Sequence, residues 1–131
     1  MYITLETDYA VRIMVILIGE NCRMDAKTIA ARTDVTLRFA LKILGKLAAA
    51  GFVRSYKGIK GGYEYARETP KDLNLYEVLA AVEGPCLVNR CLGATGCLHG
   101  RESFCKAHEA FAVIADMLRA EMEAVTFDQL I

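Results

Sequence analysis

The first half of the chain carries hydrophobic residues at the spacing of short amphipathic helices. Each stretch has a polar capping residue: Thr7 begins the first, Asp25 precedes the second and Thr36 precedes the third. Gly19 and Gly51 follow the first and third stretches, where glycine commonly ends a helix. The pattern therefore predicts helices over residues 7–18, 26–32 and 37–50.

The third of these helices has two chemically different sides. At 100° per residue, one side gathers the apolar Phe39, Ala40, Ile43, Leu44 and Leu47, and the other gathers Arg38, Lys42, Gly45 and Lys46. A three-residue turn, residues 33–35, separates this helix from the short one before it, and Asp34 in this turn can adopt the left-handed conformation that ends a helix. A short helix, a tight turn and a basic amphipathic helix together predict a helix-turn-helix.

A β-hairpin is predicted directly after this unit. Residues 52–56 and 63–66 have the composition of strands, and the connection between them, residues 57–62, contains three glycines. Glycine permits the positive φ angles that a tight hairpin tip requires. A hairpin that follows a recognition helix is typical of the wing in winged-helix proteins.

The second half of the chain predicts two helices joined by a long loop. Asn74 and Glu77 form a capping-box pattern for a helix that ends near Glu83, and a longer helix is expected over 103–124. Residues 84–103 show no periodicity, and a loop of this length needs something to order it. In the long helix, two sets recur every seven residues and predict a coiled-coil-like seam: Phe104, Phe111, Leu118 and Val125, and His108, Ala115 and Met122.

These elements predict a mostly α protein with a small β-hairpin wing. We expect a winged helix-turn-helix domain over residues 1–70, followed by a loop and a long C-terminal dimerisation helix over 71–131. The alternative for the seam is an intramolecular core helix. No apolar stretch is long enough to span a membrane, and the acidic N-terminus does not resemble a signal peptide. We therefore expect a cytoplasmic protein.

Charge is distributed unevenly although the formal net charge is zero. Residues 1–70 hold 11 Lys+Arg and 7 Asp+Glu, and no acidic residue lies between Asp34 and Glu64. Basic side chains of the third helix and hairpin tip can reach bases and phosphates, which predicts DNA contacts by Thr36, Arg38, Lys42, Lys46, Lys57 and Lys60. A solvated helix face is the alternative for the basic stripe alone. A dimer would read a pseudo-palindromic double-stranded site.

Four of the five cysteines lie within the glycine-punctuated loop or directly after it. Cys91, Cys97 and Cys105 follow the pattern C-x5-C-x7-C, which favours a metal site over a disulfide framework in a reducing compartment. Three thiolates leave a fourth position open, for which His108, Asp8 and Cys86 are candidates. The alternative is a group of free thiols, and Cys22 is expected to be structural.

Several of these segments together resemble the Rrf family of bacterial winged-helix transcription regulators, including its IscR-like and NsrR-like iron–sulfur members. The resemblance rests on residues 7–12, 38–44, 57–58 and 61–63, the three-cysteine loop and the closing Thr126-Phe127. It implies a homodimer with crossed C-terminal helices, a wing in the minor groove and a [2Fe–2S] or [4Fe–4S] cluster at each loop. It also implies a non-cysteine ligand, matched by His108 in the IscR-like pattern and by Asp8 in the NsrR-like pattern.

The sequence departs from that family pattern at three places. The last cysteine gap is seven residues where many members have five, and Cys86 is additional. The wing carries Lys57 and Ile59-Lys60, and the third helix carries Leu41 and Lys42, where IscR-like members have other residues. We therefore expect a different DNA target.

The function expected from these features is cluster-dependent transcription regulation. The cluster state, set by redox conditions, nitric oxide or cluster supply, would alter the spacing of two recognition helices. The rivals are a zinc- or thiol-based regulator and a small iron–sulfur carrier. No residue constellation predicts an enzyme.

Overall fold

The computed structural model describes residues 3–131. These residues form five α-helices, with one antiparallel hairpin between the third and the fourth helix. The bounds are α1 Leu5–Glu20, α2 Ala26–Thr33, α3 Leu37–Ala49, β1 Val53–Tyr56, β2 Gly62–Tyr65, α4 Leu75–Glu83 and α5 Lys106–Ala124. Short 3-10 turns lie at Pro70–Asp72, Arg90–Leu92, Glu102–Phe104 and Phe127–Gln129. The predicted fold class, mostly α with a small hairpin wing, is confirmed.

Helix α1 is longer at both ends than the sequence pattern predicted. The hydroxyl of Thr4, not that of Thr7, caps it by accepting a hydrogen bond from the Thr7 backbone N–H at 3.4 Å. The helix continues through Gly19 and ends at Asn21, whose φ of 48° lies in the left-handed region. Asparagine tolerates this conformation better than most residues, so it can end a helix without glycine.

The helix-turn-helix forms as predicted. Asp25 caps α2, Thr36 caps α3, and Asp34 adopts a left-handed conformation with a φ of 56° in the turn between them. Val35 is buried in this turn, and its backbone N–H donates to the carbonyl of Ala30 at 3.0 Å. These contacts fix the angle at which α3 leaves α2.

The hairpin is attached to the helical body at its second strand. Val53 pairs with Tyr65 and Tyr56 pairs with Gly62 in the antiparallel register. Tyr63 also exchanges two backbone hydrogen bonds with Met24, of 2.9 and 2.8 Å, in the segment between α1 and α2. Strand β2 is therefore hydrogen-bonded on both sides, to β1 on one side and to Met24 on the other.

One hydrophobic core joins the helix-turn-helix to the second half of the chain. Leu73, Val78 and Val82 belong to the same buried cluster as Ile13, Leu17, Ile43 and Leu47. Phe127 completes this core, and its backbone N–H donates to the carbonyl of Leu73 at 3.0 Å. The division of the chain at residue 70 stays a prediction.

Helix α5 begins three residues later than predicted, at Lys106. Cys105 precedes it in an extended conformation, and residues 102–104 form a separate 3-10 turn. Most of the predicted seam is turned towards the chain's own body: Met122 is buried, and His108, Phe111, Ala115, Leu118 and Val125 are half-buried. The large apolar side chains that α5 exposes are instead Val113, Ile114 and Met117.

None of the helices within residues 3–131 is long and apolar enough to cross a membrane.

Candidate DNA interface and cysteine loop

Helix α3 presents one buried and one exposed side. Ala40, Ile43, Leu44 and Leu47 are buried, whereas Thr36, Arg38, Leu41 and Lys42 are exposed. The Thr36 hydroxyl accepts a hydrogen bond from the Phe39 backbone N–H at 3.4 Å, which orients the start of the helix. The exposed side carries the donors that recognise base edges and phosphates in helix-turn-helix proteins.

Two apolar side chains, Phe39 and Leu41, also lie on this exposed side of α3. Phe39, which periodicity placed on the inner side, is 46% exposed and packs edge-on against Tyr9. Leu41 is 45% exposed. Apolar side chains at such positions can contact the methyl group of thymine in the major groove.

Lys42 and Lys46 both contact Glu6 of α1. The Lys46 ammonium lies 2.8 Å from Glu6 Oε1, and the Lys42 ammonium lies 3.3 Å from the same atom. Lys46 also donates to the carbonyl of Val82 at 2.9 Å, near the end of α4. The hydrogen bond from Lys46 is the largest influence on Glu6 and lowers its pKa, with Lys42 adding to the effect and burial opposing it.

Sequence reasoning missed Glu6 because its partners lie far away along the chain. An acidic residue in the first turn of a helix is explained locally by the helix dipole. No periodicity signals an ion pair with a helix that begins at residue 37. The predicted role of Lys46 in DNA binding stays a prediction, but the structure gives this side chain two protein partners.

The wing carries two exposed lysines at its tip, and an arginine from outside the wing stacks next to that tip. Lys57, Ile59 and Lys60 are exposed. The guanidinium of Arg23 lies 3.3 Å from the centre of the Tyr56 ring and donates to the carbonyl of Lys60 at 3.3 Å. Arg23 therefore supports the tip end of the wing, a role that the sequence pattern did not predict.

One contact between the cysteine loop and α5 joins two predicted ligand side chains. His108 Nδ1 lies 3.2 Å from the sulfur of Cys91, which belongs to the 3-10 turn Arg90–Leu92. Both side chains are half-buried. The structure thus brings together one predicted cysteine ligand and the first candidate for the fourth position.

The other two predicted cysteine ligands lie apart from this pair. Backbone N–H groups of Arg101 and His99 lower the pKa of the Cys97 thiol, with burial and the nearby Glu102 opposing them. Glu102 also accepts a hydrogen bond from the Cys97 backbone N–H. Cys105 is half-buried at the start of α5.

Asp8 and Cys86, the remaining candidates for the fourth ligand, lie in other parts of the structure. Asp8 pairs with Arg12 at 2.6 Å and lines a depression with apolar residues that include Leu5, Val11 and Leu75. Cys86 lines a different, largely apolar cavity of about 370 Å³ between α1, α4 and α5, together with Thr7, Glu83, Leu118 and Met122. Neither joins the Cys91–His108 pair.

The predicted cysteine and histidine ligands are chemically suited to an iron–sulfur cluster. Of these side chains, Cys91 and His108 are in contact. Thiolates with one imidazole are ligands that such clusters accept. Over residues 3–131, no three cysteine, histidine or acidic side chains gather closely enough to hold a metal ion. Cys97 and Cys105 would therefore have to move towards Cys91 and His108 on binding.

Solved structures of similar fold come from bacterial regulators. The cysteine regulator CymR of B. subtilis superposes with a TM-score of 0.76 at 20% identity, covering 99% of this chain and 95% of that chain. IscR of T. potens also gives a TM-score of 0.76 at 20% identity, covering 99% of this chain and 85% of that chain. These similarities support the winged-helix fold.

Sequence comparisons extend the similarity to the whole chain. The transcriptional regulator IscR of Cronobacter sakazakii is 27% identical over 133 aligned positions, covering 100% of this chain and 80% of its own length. IscR of an Escherichia coli O1:K1 strain gives the same identity and coverage. The sequence model of the Rrf2 family, described as "Iron-dependent Transcriptional regulator", matches residues 3–131. Family and relatives are transcription regulators rather than enzymes, and the chain belongs to the Rrf2 family.

Proposed function

We propose that the chain is a homodimeric, iron–sulfur-dependent regulator that binds a pseudo-palindromic DNA operator. The observation that carries the cluster dependence is the 3.2 Å contact between Cys91 and His108, which joins the cysteine loop to α5. Because the proposed ligand is DNA, we place the action of the protein in the cytoplasm.

The DNA interface is formed by α3 and the wing. Thr36, Arg38 and Lys42 lie on the exposed side of α3 and would meet bases and phosphates of the major groove. Lys57 and Lys60 at the wing tip would meet the flanking minor groove or its phosphates. Lys46 would contribute less directly, because Glu6 and the Val82 carbonyl already hold its ammonium group.

A second copy of the chain would cover the exposed apolar side of α5. Val113 is 58% exposed and Met117 is 63% exposed. With Ala110, Ala120 and Ala124, which are also exposed, they alternate at spacings of three and four residues, as in a coiled coil. Small residues at three of the five positions would permit close approach of two helices. Such a pairing would place two α3 helices on one two-fold operator.

Cys91, Cys97 and Cys105 would hold the cluster, with His108 the favoured fourth ligand and Asp8 or Cys86 the alternatives. When bound, the cluster would supply a redox- and nitric-oxide-sensitive group. The loop follows α4 directly, and Lys46 of α3 donates to Val82 in the last turn of α4. Ordering of the loop could therefore change the position of α3, and thereby the affinity for DNA.

The test begins with oxygen-free purification. Iron and acid-labile sulfide should be present, with visible absorption bands, and DNA affinity should differ between cluster-loaded and cluster-free protein. Equal affinity in both states would contradict cluster-dependent regulation. Oxygen-free protein without iron and sulfide would contradict the cluster itself.

A thiol- or zinc-based regulator is the second candidate. The separation of Cys97 and Cys105 from the Cys91–His108 pair favours the thiol-based form, because a zinc ion would require the same gathering of ligands as a cluster. This candidate expects colourless protein after oxygen-free purification, with either bound zinc or a DNA affinity that changes when the thiols are oxidised.

A further inference from the structure

Two of the lysines that face DNA in the proposed function are already ion-paired within the protein. Glu6 stands in the first turn of α1, and its Oε1 atom is removed from solvent. The ammonium groups of Lys42 and Lys46 approach this same atom, at 3.3 and 2.8 Å. A carboxylate is thus placed at the edge of a surface that would meet phosphates.

The two lysines differ in how firmly they are held. Lys46 is 35% exposed at its side chain and has a second acceptor, the Val82 carbonyl at 2.9 Å. Lys42 is 54% exposed and lies further from Glu6. An exposed ion pair is weak, so Lys42 can exchange its partner at small cost. Lys46 would lose two partners and is therefore fixed.

DNA would compete directly with Glu6 for Lys42. Each lysine that neutralises a phosphate releases condensed counterions and steepens the dependence of affinity on salt. A lysine already neutralised by a carboxylate contributes less, because its charge is partly cancelled before DNA arrives. The carboxylate also repels phosphates nearby over distances within the screening length of about 8 Å at physiological salt.

We propose that Glu6 limits the DNA affinity of this protein by competing with DNA phosphate for Lys42, while it holds Lys46 as a positioning residue between α3 and α4. This inference rests on the proposed DNA-binding function and adds an internal competitor to it. The anion class that displaces Glu6 is the phosphodiester backbone, independent of base sequence.

The test measures binding of the full-length protein to a labelled DNA duplex of arbitrary sequence by fluorescence anisotropy, over a series of KCl concentrations. Glu6→Gln should bind more tightly at low salt, by roughly threefold to tenfold. The slope of log K against log [KCl] should steepen by about 0.9 for each lysine released to a phosphate. A merely structural role of Glu6 would not steepen this slope.

Three further variants make the result specific to the contact between Glu6 and Lys42. Glu20→Gln removes the same charge from the same helix, but Glu20 pairs with Arg32 of α2 at 2.5 Å. Its slope should equal that of the wild type. Lys42→Gln placed in the Glu6→Gln background should restore the wild-type slope, because the released lysine is then absent. Glu6→Ala serves as a second variant, since alanine favours the helix and leaves no amide to hold the lysines.

The outcomes separate this inference from the function on which it rests. If the wild type shows no salt-dependent binding to any duplex, the proposed DNA function fails and the inference fails with it. If the wild type binds, but folded Glu6→Gln and Glu6→Ala show the slope of Glu20→Gln, only the competition by Glu6 is overturned.

Discussion

His108 Nδ1 lies 3.2 Å from the sulfur of Cys91, although the two residues are 17 positions apart. The contact joins the first 3-10 turn of the cysteine loop to the first turns of α5. It is therefore the point at which a change in the loop would reach the helix that we assign to dimerisation.

We expect His108→Ala to lower the iron content of protein purified without oxygen, or to shift its visible absorption bands. The reason is that the imidazole would be lost as the fourth ligand. Replacing a metal ligand or its close support commonly costs tenfold or more in metal affinity. His99→Ala is the matched control, because His99 is an exposed loop residue. Iron content and spectrum equal to those of His99→Ala would assign the fourth position to Asp8 or Cys86.

The exposed apolar side of α5 gives a prediction about oligomeric state. Met117→Glu should convert the dimer to a monomer, because a carboxylate would be buried between two helices. Sedimentation equilibrium would measure the mass in solution. Leu98→Glu is the control, since Leu98 is 70% exposed but lies in the cysteine loop. A dimeric Met117→Glu protein would place the interface elsewhere.

Gly62 is a position where the wing has no room for a side chain. Its φ is 141°, and an added Cβ would lie 2.5 Å from the carbonyl oxygen of Met24. Gly62→Ala should therefore lower the free energy of unfolding by about 2 kcal/mol or more, through backbone strain and loss of the Met24–Tyr63 pairing. Chemical denaturation would measure the change.

Gly45 is a position where an added side chain should stabilise the fold, in contrast to Gly62. It lies inside α3, and an added Cβ would meet nothing within 4 Å. Gly45→Ala should raise the free energy of unfolding by about 0.5–1 kcal/mol, because alanine loses less backbone entropy in a helix. Equal effects of both substitutions would mean that the wing is not pinned at Met24.

The cap of α2 gives a pH-dependent prediction. Asp25 accepts hydrogen bonds from the backbone N–H of Thr28 at 2.9 Å and from its hydroxyl at 2.7 Å. The backbone hydrogen bond is the larger cause, and together they lower the pKa of Asp25 below its ordinary value of 3.8. A carboxyl whose pKa is lower in the folded state stabilises the protein above the unfolded pKa, and this stabilisation is lost as the pH falls through the folded value.

We therefore expect wild type to be more stable than Asp25→Asn near neutral pH, with the difference shrinking as the pH falls below 3.8. Asparagine is the matched replacement because it keeps a capping oxygen and removes only the charge. Thermal unfolding at a series of pH values would measure the difference. A difference that stays constant down to acid pH would contradict a role for the charge.

The sequence predicted those parts of the fold that depend on neighbouring residues. The structure contains the helix caps predicted at Asp25, Thr36 and Asn74, and the left-handed conformation of Asp34. Each of these features depends only on residues nearby in the sequence. The start of α1 was wrong because two threonines compete as caps. Thr4 accepts the capping hydrogen bond, and Thr7 is buried inside the helix.

The parts that the sequence left open or missed depend on contacts between distant segments. The heptad sets in α5 were correctly spaced for a seam, but periodicity does not tell which apolar side meets a partner and which meets the chain's own core. The side with Leu118 and Met122 packs inward, and the side with Met117 is exposed. The Glu6 contacts with α3 were likewise invisible, because they join two separate helices.

Thr7 gives the last prediction, because its buried hydroxyl links α1 to the residue just before the cysteine loop. It donates a 2.8 Å hydrogen bond to Glu83 Oε1. Thr7→Val keeps the shape of the side chain and removes the donor, and Glu83 is exposed enough to regain water. The free energy of unfolding should fall by about 0.5–1.5 kcal/mol.

Thr33→Val is the control for this substitution, since Thr33 is also buried and its hydroxyl donates to the Ile29 carbonyl at 2.7 Å within α2. That carbonyl can keep its backbone helix partner, so the loss should be smaller. Because the Thr7 hydroxyl donates to Glu83, the last residue of α4, Thr7→Val should also loosen the end of α4 relative to α1. Amide hydrogen exchange in residues 80–84 should then accelerate in Thr7→Val and not in Thr33→Val. Unchanged exchange there would show that packing alone holds α4 against α1.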